Sequence, residues 1–186
     1  IGNGQEEAEI DPSKLLGTII KLDENDVKVA EIVQDFNIKI NGESVTSKNY
    51  NDILGICYDI AEKTLKLKDG KSFEGALTIT APEDVSIDLE ANAPHVVNGD
   101  LTVNGAKDVK VTKLKGDDAA EGAIVAINGK AEISCSGDVI LKNLGGSSYR
   151  GRNLTRDGLT VNGANNVTTE GSIGDQTIID CTGDIE

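Results

Sequence analysis

LTITAPEDVSI from Leu77, LTVNGAKDVKV from Leu101 and LTVNGANNVTT from Leu159 align without a gap, and their reading decides the fold. Two looser copies join them, AEISCSGDVIL from Ala131 and TIIDCTGDI from Thr177, which share Cys-(Ser/Thr)-Gly-Asp-(Val/Ile). Each copy alternates apolar and polar residues, turns at a polar stretch, reaches an Asp or Asn, and opens a second short strand with a β-branched residue. The acid or amide position falls at Asp84, Asp108, Asp138, Asn166 and Asp184, with spacings of 24, 30, 28 and 18 residues. A mean of about 25 residues suits one coil of a stacked parallel structure, each coil rising about 4.8 Å on the last. The expected fold is therefore an all-β, right-handed parallel β-helix.

Period-2 alternation predicts which side chains point inward. One ladder runs Leu77, Leu101, Ala131, Leu159, Thr177; a second runs Ile79, Val103, Ile133, Val161, Ile179. A third, after the turn, is Val85, Val109, Val139, Val167, Ile185. Asn-Gly at 104–105 and 162–163 also suits a hairpin turn, which would make an antiparallel array. The copies repeat in the same order, not as mirror-like pairs, so the parallel reading is preferred. The uneven spacings place excursions at Lys113–Gly122 (KLKGDDAAEG) and Asn143–Asp157 (NLGGSSYRGRNLTRD).

Working outward, the 186 residues divide into a flexible lead-in at 1–10, a mixed cap region at 11–70 and coils over 71–186. Asp11-Pro12-Ser13 before LLGTIIKL supports a short helix, with an N-cap and a Pro in the first turn. Strands are expected at 27–29 (VKV), 36–40 (FNIKI) and 63–68 (KTLKLK), and one helical turn over Ser47–Gly55. These elements would cap a solenoid end whose open ladder otherwise recruits other chains. The chain opens at Ile1 and contains no Met, so a removed leader is expected.

Composition narrows the classes. Aromatics are only 3%, so Val, Ile, Leu and Ala must build the interior, and 21 Gly against 3 Pro favours short strands joined by tight turns. A net charge of −14 opposes phosphate backbones and anionic membrane faces, which excludes nucleic acid as the expected partner. No apolar run reaches membrane-spanning length, so no membrane insertion is expected.

The stretch INGESVTSKNYNDILGICYDIAEKTLKLKDG, from Ile40 to Gly70, resembles the entry segment of surface proteins of gut Clostridia and their relatives. The matching residues are Asn41, Gly42, Val45, Thr46, Leu54, Gly55, Tyr58, Asp59, Thr64, Leu65 and Leu67, and the coils Gly75–Leu89 and Gly99–Val111 match the continuation. The resemblance covers roughly residues 38 to 111 well and the remainder loosely. It implies an extracellular setting, secreted or attached to the wall as part of a larger surface chain, in a family that is mostly uncharacterised and of which some members are described as adhesins or carbohydrate-binding repeats. Its motifs are structural, and it carries over no functional residue.

Chemistry-bearing residues are sparse. Cys57, Cys135 and Cys181 are odd in number, and Cys135 and Cys181 sit two coils apart. Two steps make about 9.6 Å, beyond disulfide reach, so both are expected as reduced core residues. His95 is the only histidine and follows Ala93-Pro94 in a turn without a catalytic signature. Asp117, Asp118 and Glu121 offer oxygen ligands that suit calcium, although no EF-hand spacing is present; the other reading is a solvated acidic loop. No cofactor other than calcium is expected. Tyr149, Arg150 and Arg152, with Arg156, form the basic cluster of a very acidic chain and suit an anionic sugar, with Tyr149 as a stacking face. The same arginines also suit pairing with acidic neighbours.

The favoured expectation is a non-enzymatic extracellular module whose loops bind a glycan or a host or bacterial surface component. A purely structural spacer is the alternative. A polysaccharide lyase-like enzyme is the third, by fold analogy alone; it needs carboxylates from consecutive coils aimed at one groove, whereas the aligned acids here sit at a turn.

Overall fold

Alternating side chains build nearly every strand of this chain. The computed structural model describes residues 33–115, 124–145, 152–173 and 176–186, without the side chains of 124 and 152. The protein is all-β, with parallel strands in mixed, open sheets and no α-helix among the described residues. The expected lead-in, the helix after Asp11 and the strand at 27–29 lie outside the described residues.

Sheet A runs, in spatial order, β17 (Thr177–Cys181), β15 (Gly158–Ala164), β12 (Lys130–Ser134), β9 (Leu101–Gly105), β6 (Leu77–Ala81), β1 (Asp35–Ile40) and β2 (Glu43–Thr46). Sheet B runs β16 (Val167–Glu170), β13 (Val139–Asn143), β10 (Val109–Lys113), β7 (Ser86–Ala91), β4 (Thr64–Leu67) and β3 (Ile56–Asp59). Sheet C runs β14 (Arg152–Thr155), β11 (Ile124–Ile127), β8 (Val97–Asn98) and β5 (Phe73–Glu74). From β5 to β16 the chain visits C, A and B in turn and returns one strand further along each sheet, always parallel to its predecessor. Both Asn-Gly pairs turn the chain from sheet A into sheet B, not back along a hairpin.

The first two ladders stand in the expected register. Leu77, Leu101, Ala131 and Leu159 are fully buried, as are Ile79, Val103, Ile133 and Val161, while Thr177 and Ile179 in the last strand are half-buried. Like side chains stacked on like give a core without Trp or Met; each Leu or Ile contributes roughly 1.5–3 kcal/mol by leaving water. The third ladder needs correction at its first rung. Val109 pairs with Ile87, not with Val85. Pro82 opens a turn closed by the Val85 N–H on the Pro82 carbonyl (3.1 Å). This turn makes the first A-to-B corner two residues longer than the next, and the gapless alignment hides it.

Asp84 consequently leaves the column of acids and pairs with Lys63 at 2.6 Å. The remaining column is continuous. Asp108 Oδ1 accepts the Asp138 N–H (3.0 Å), Asp138 Oδ1 the Asn166 N–H (3.2 Å), and Asn166 Oδ1 the Asp184 N–H (3.0 Å). The side chain thus bonds the following pass of the chain. A Cβ on Gly137 would lie 2.2 Å from Asp108 Oδ1, and one on Gly183 would lie 2.3 Å from Asn166 Oδ1. That contact explains why Gly precedes Asp in both Cys-(Ser/Thr)-Gly-Asp copies.

Sheets A and B begin on antiparallel hairpins, β1–β2 and β3–β4. Asn41 and Gly42 both take positive φ (49° and 85°), the geometry of a two-residue hairpin turn. The segment expected as one helical turn holds consecutive turns, closed by the Asn49 and Tyr50 N–H groups on the Thr46 carbonyl and by the Asp52 N–H on the Asn49 carbonyl. A separate tight turn then follows at Leu54-Gly55, bridging Ile53 to Ile56. Cys57, Cys135 and Cys181 are all free, with Cys135 buried and the others half-buried.

Candidate functional site

The two insertions singled out by sequence leave the fold at one corner. β10 and β13 are paired in register to their last residues, Lys113 opposite Asn143, and the chain re-enters sheet C with Ile124 opposite Arg152. Departure points and return points therefore lie one strand apart, about 4.8 Å. Asp117, Asp118, Glu121, Tyr149 and Arg150 lie outside the described residues, as does the Arg152 side chain. Arg156, which is exposed, belongs to a different corner: it follows β14, four residues or about 13 Å along the strand from Arg152.

The base of this corner is polar and buried, a feature the sequence reading passed over. Lys113 is 1% exposed and donates from Nζ to the Leu114 carbonyl at 2.9 Å. Asn143 is fully buried; its Nδ2 donates to the Asn153 carbonyl (2.8 Å) and its Oδ1 accepts the Gly145 N–H (3.1 Å). The alternation held the signal. Val109, Val111, Lys113 and Val139, Leu141, Asn143 carry the inward phase to a polar residue in each strand. Buried polar groups persist where they are bonded, and here they fix the backbone on which both insertions stand.

Elsewhere the titratable groups are engaged structurally. His95 Nδ1 donates to the Val125 carbonyl (2.8 Å), and the His95 carbonyl accepts the Ser72 hydroxyl (2.6 Å), so this residue ties three passes together. Burial pushes the Cys135 thiol above its ordinary value and disfavours the reactive thiolate. An open cleft of about 670 Å³ beside the N-terminal hairpins is bordered by Asp52, Lys68, Lys71, Ser72 and Glu74. Lys68 bonds Asp52 across it at 2.5 Å, holding that carboxyl below its ordinary value and raising its own. A smaller groove of about 300 Å³ is lined by Asp138, Asn166, Asp184 and Glu186 beside Ile140 and Thr168. Among the described residues no group of three or more His, Cys, Asp or Glu is placed to hold a metal ion.

The outward faces of the two large sheets differ. On sheet B, Lys66 pairs with Asp59 (3.4 Å), Lys110 with Asp88 (3.1 Å) and Glu90 (3.8 Å), and Lys142 with Glu170 (3.7 Å). On sheet A the corresponding positions are mostly Thr, Asn and Ser. Comparison of the chain with family models, with curated proteins and with solved structures finds no match.

Proposed function

We propose that this chain is a right-handed parallel β-helix displayed outside the cell, where it acts as a non-enzymatic module that binds a glycan or another surface component through its long loops. The strand order supports the architecture: three sheets advance together by one parallel strand per pass. Parallel crossovers within a sheet are right-handed in about 98% of cases, which supports the hand. The entry-segment resemblance supports the setting, and its motif residues serve local structure, as Asn41-Gly42 and Leu54-Gly55 do in their turns.

The observation that carries the binding role is the shared corner. In-register pairing of β10 with β13 and of β11 with β14 sets the described ends of the insertion that carries Asp117, Asp118 and Glu121 one strand from those of the insertion that carries Tyr149 and Arg150. A composite surface from two adjacent loops on a rigid scaffold is a common way to build recognition. Arg156 would contribute only to a ligand long enough to reach along β14.

The test is binding to a panel of plant, host and bacterial glycans, with calcium and again with chelator. Binding lost in Arg150→Ala or Arg152→Ala, with folding intact, establishes the loop site, and loss on chelation assigns calcium to the acidic insertion. Silence across the panel transfers the chain to the spacer reading.

A further inference from the structure

A second surface, independent of the loops, lies on the outward side of sheet A. Thr78, Thr102, Glu132 and Thr160 stack in register as one column, with Thr80, Asn104, Ser134 and Asn162 as the column beside it. Seven of these eight side chains are neutral hydroxyls or amides, in a chain of net charge −14. The eighth, Glu132, is ion-paired to Lys130 on its own strand. All eight are exposed or half-exposed. Among the described residues, none of the seven neutral side chains bonds to another protein group, whereas the facing charges of sheet B bond one another. The result is a grid of free donors and acceptors, spaced about 4.8 Å along the stack and about 6.7 Å along each strand.

We infer that this face binds an extended neutral polysaccharide lying across the strands. Over these four strands, between Lys39 at one end and Asp180 at the other, the stripe carries no net charge, which disfavours ionic ligands of either sign. The repeat instead matches a partner that presents hydroxyls at regular intervals. One such hydrogen bond is weak because water competes for both groups, so a free monosaccharide gains little. A chain that engages successive strands gains the contacts cooperatively, each bond raising the effective concentration of the next. Thr methyl groups add apolar contact with sugar C–H surfaces. This inference rests on the reading of the chain as a binding module and names a second face and ligand class for it.

The experiment is depletion of the full chain from solution by microcrystalline cellulose, α-chitin and insoluble starch, at low and at 1 M salt. Wild type is expected to partition onto at least one polymer independently of salt. Thr102→Arg with Thr160→Arg should lower the partition coefficient at least tenfold. Thr102→Val with Thr160→Val, which keeps shape and strand preference, should lower it several-fold. Ile140→Arg, on the outward side of sheet B, should partition like wild type, separating this face from the other large sheet. Circular dichroism and the melting midpoint check that each variant is folded. The inference is overturned by no depletion on any polymer, by folded sheet A variants that partition like wild type, by binding that salt abolishes, by self-association through this face in sedimentation, or by inhibition of ice recrystallisation without polymer binding.

Discussion

At the scale of single residues, the column Asp108, Asp138, Asn166, Asp184 does more than mark the corner before a strand. The Oδ1 atoms of Asp108, Asp138 and Asn166 each accept the backbone N–H of the aligned residue in the next pass, so the side chain adds a bond to the backbone bonds that link the same passes on either side of it. Asp138 is the most engaged, because its Oδ1 also accepts from the Asn166 amide (2.9 Å) and the Asn165 amide (3.3 Å). Asn166 additionally separates two carboxylates that would repel if stacked directly. Asp138→Ala should cost about 1–3 kcal/mol in urea unfolding, the scale of a charged acceptor removed from bonded donors. Asp138→Asn, which keeps an acceptor oxygen, should recover most of that loss. Equal destabilisation by both variants would show that the column's hydrogen bonds are not what matters there.

At the scale of elements, legibility tracked how repetitive the local physics is. Inward phase, sheet-A register and the strands at Asp35–Ile40 and Thr64–Leu67 could be read because burial alternates with period 2 and like residues stack. The two-residue shift at Val85 could not, because Pro82 changes a corner's length without disturbing the pattern on either side. The shared corner of the insertions was also hidden, since only three-dimensional register shows that Lys113 and Asn143 are neighbours. The ladder makes a graded prediction. Ile133→Ala, at a fully buried central rung, should cost about 2–5 kcal/mol. Ile179→Ala, at the half-buried last strand, should cost clearly less; equal losses would contradict the assigned stack.

The N-terminal hairpins also carry a pH signature. Lys63 bonds Asp84 and Lys68 bonds Asp52, and both carboxyls are held below their ordinary value of 3.8 chiefly by those bonds. The Asp59 carboxyl is lowered too, first by the Glu62 N–H. Carboxyls depressed in the folded state contribute stability above the ordinary value, and the contribution disappears as pH falls through the depressed one. Lys63 and Lys68, raised by the same bonds, contribute below the ordinary value of 10.5, and the contribution is lost as pH rises through their raised values. Amide exchange in β3–β4 should therefore accelerate relative to β9–β10 as pH drops below 3.8, and Asp84→Asn should reduce that difference. These groups are exposed, so the effect should be local and should weaken with salt.

At the scale of the whole molecule, the account is one of parallel advance: each pass adds one strand to each sheet, and everything displayed outside inherits that spacing. The corner of paired insertions and the neutral face of sheet A both depend on it. The most direct test is paired spin-label distances in a chain whose three cysteines are replaced by Ala. Thr80 and Asp180 are separated by four strand steps in sheet A, and Lys66 and Thr168 by four in sheet B. Both backbone separations should be about 19 Å, and moving the label from Thr80 to Lys39 should lengthen the first by about one further step of 4.8 Å. Equal advance in both sheets is the predicted result. Unequal distances, or a Lys39–Asp180 separation shorter than Thr80–Asp180, would contradict the parallel stack.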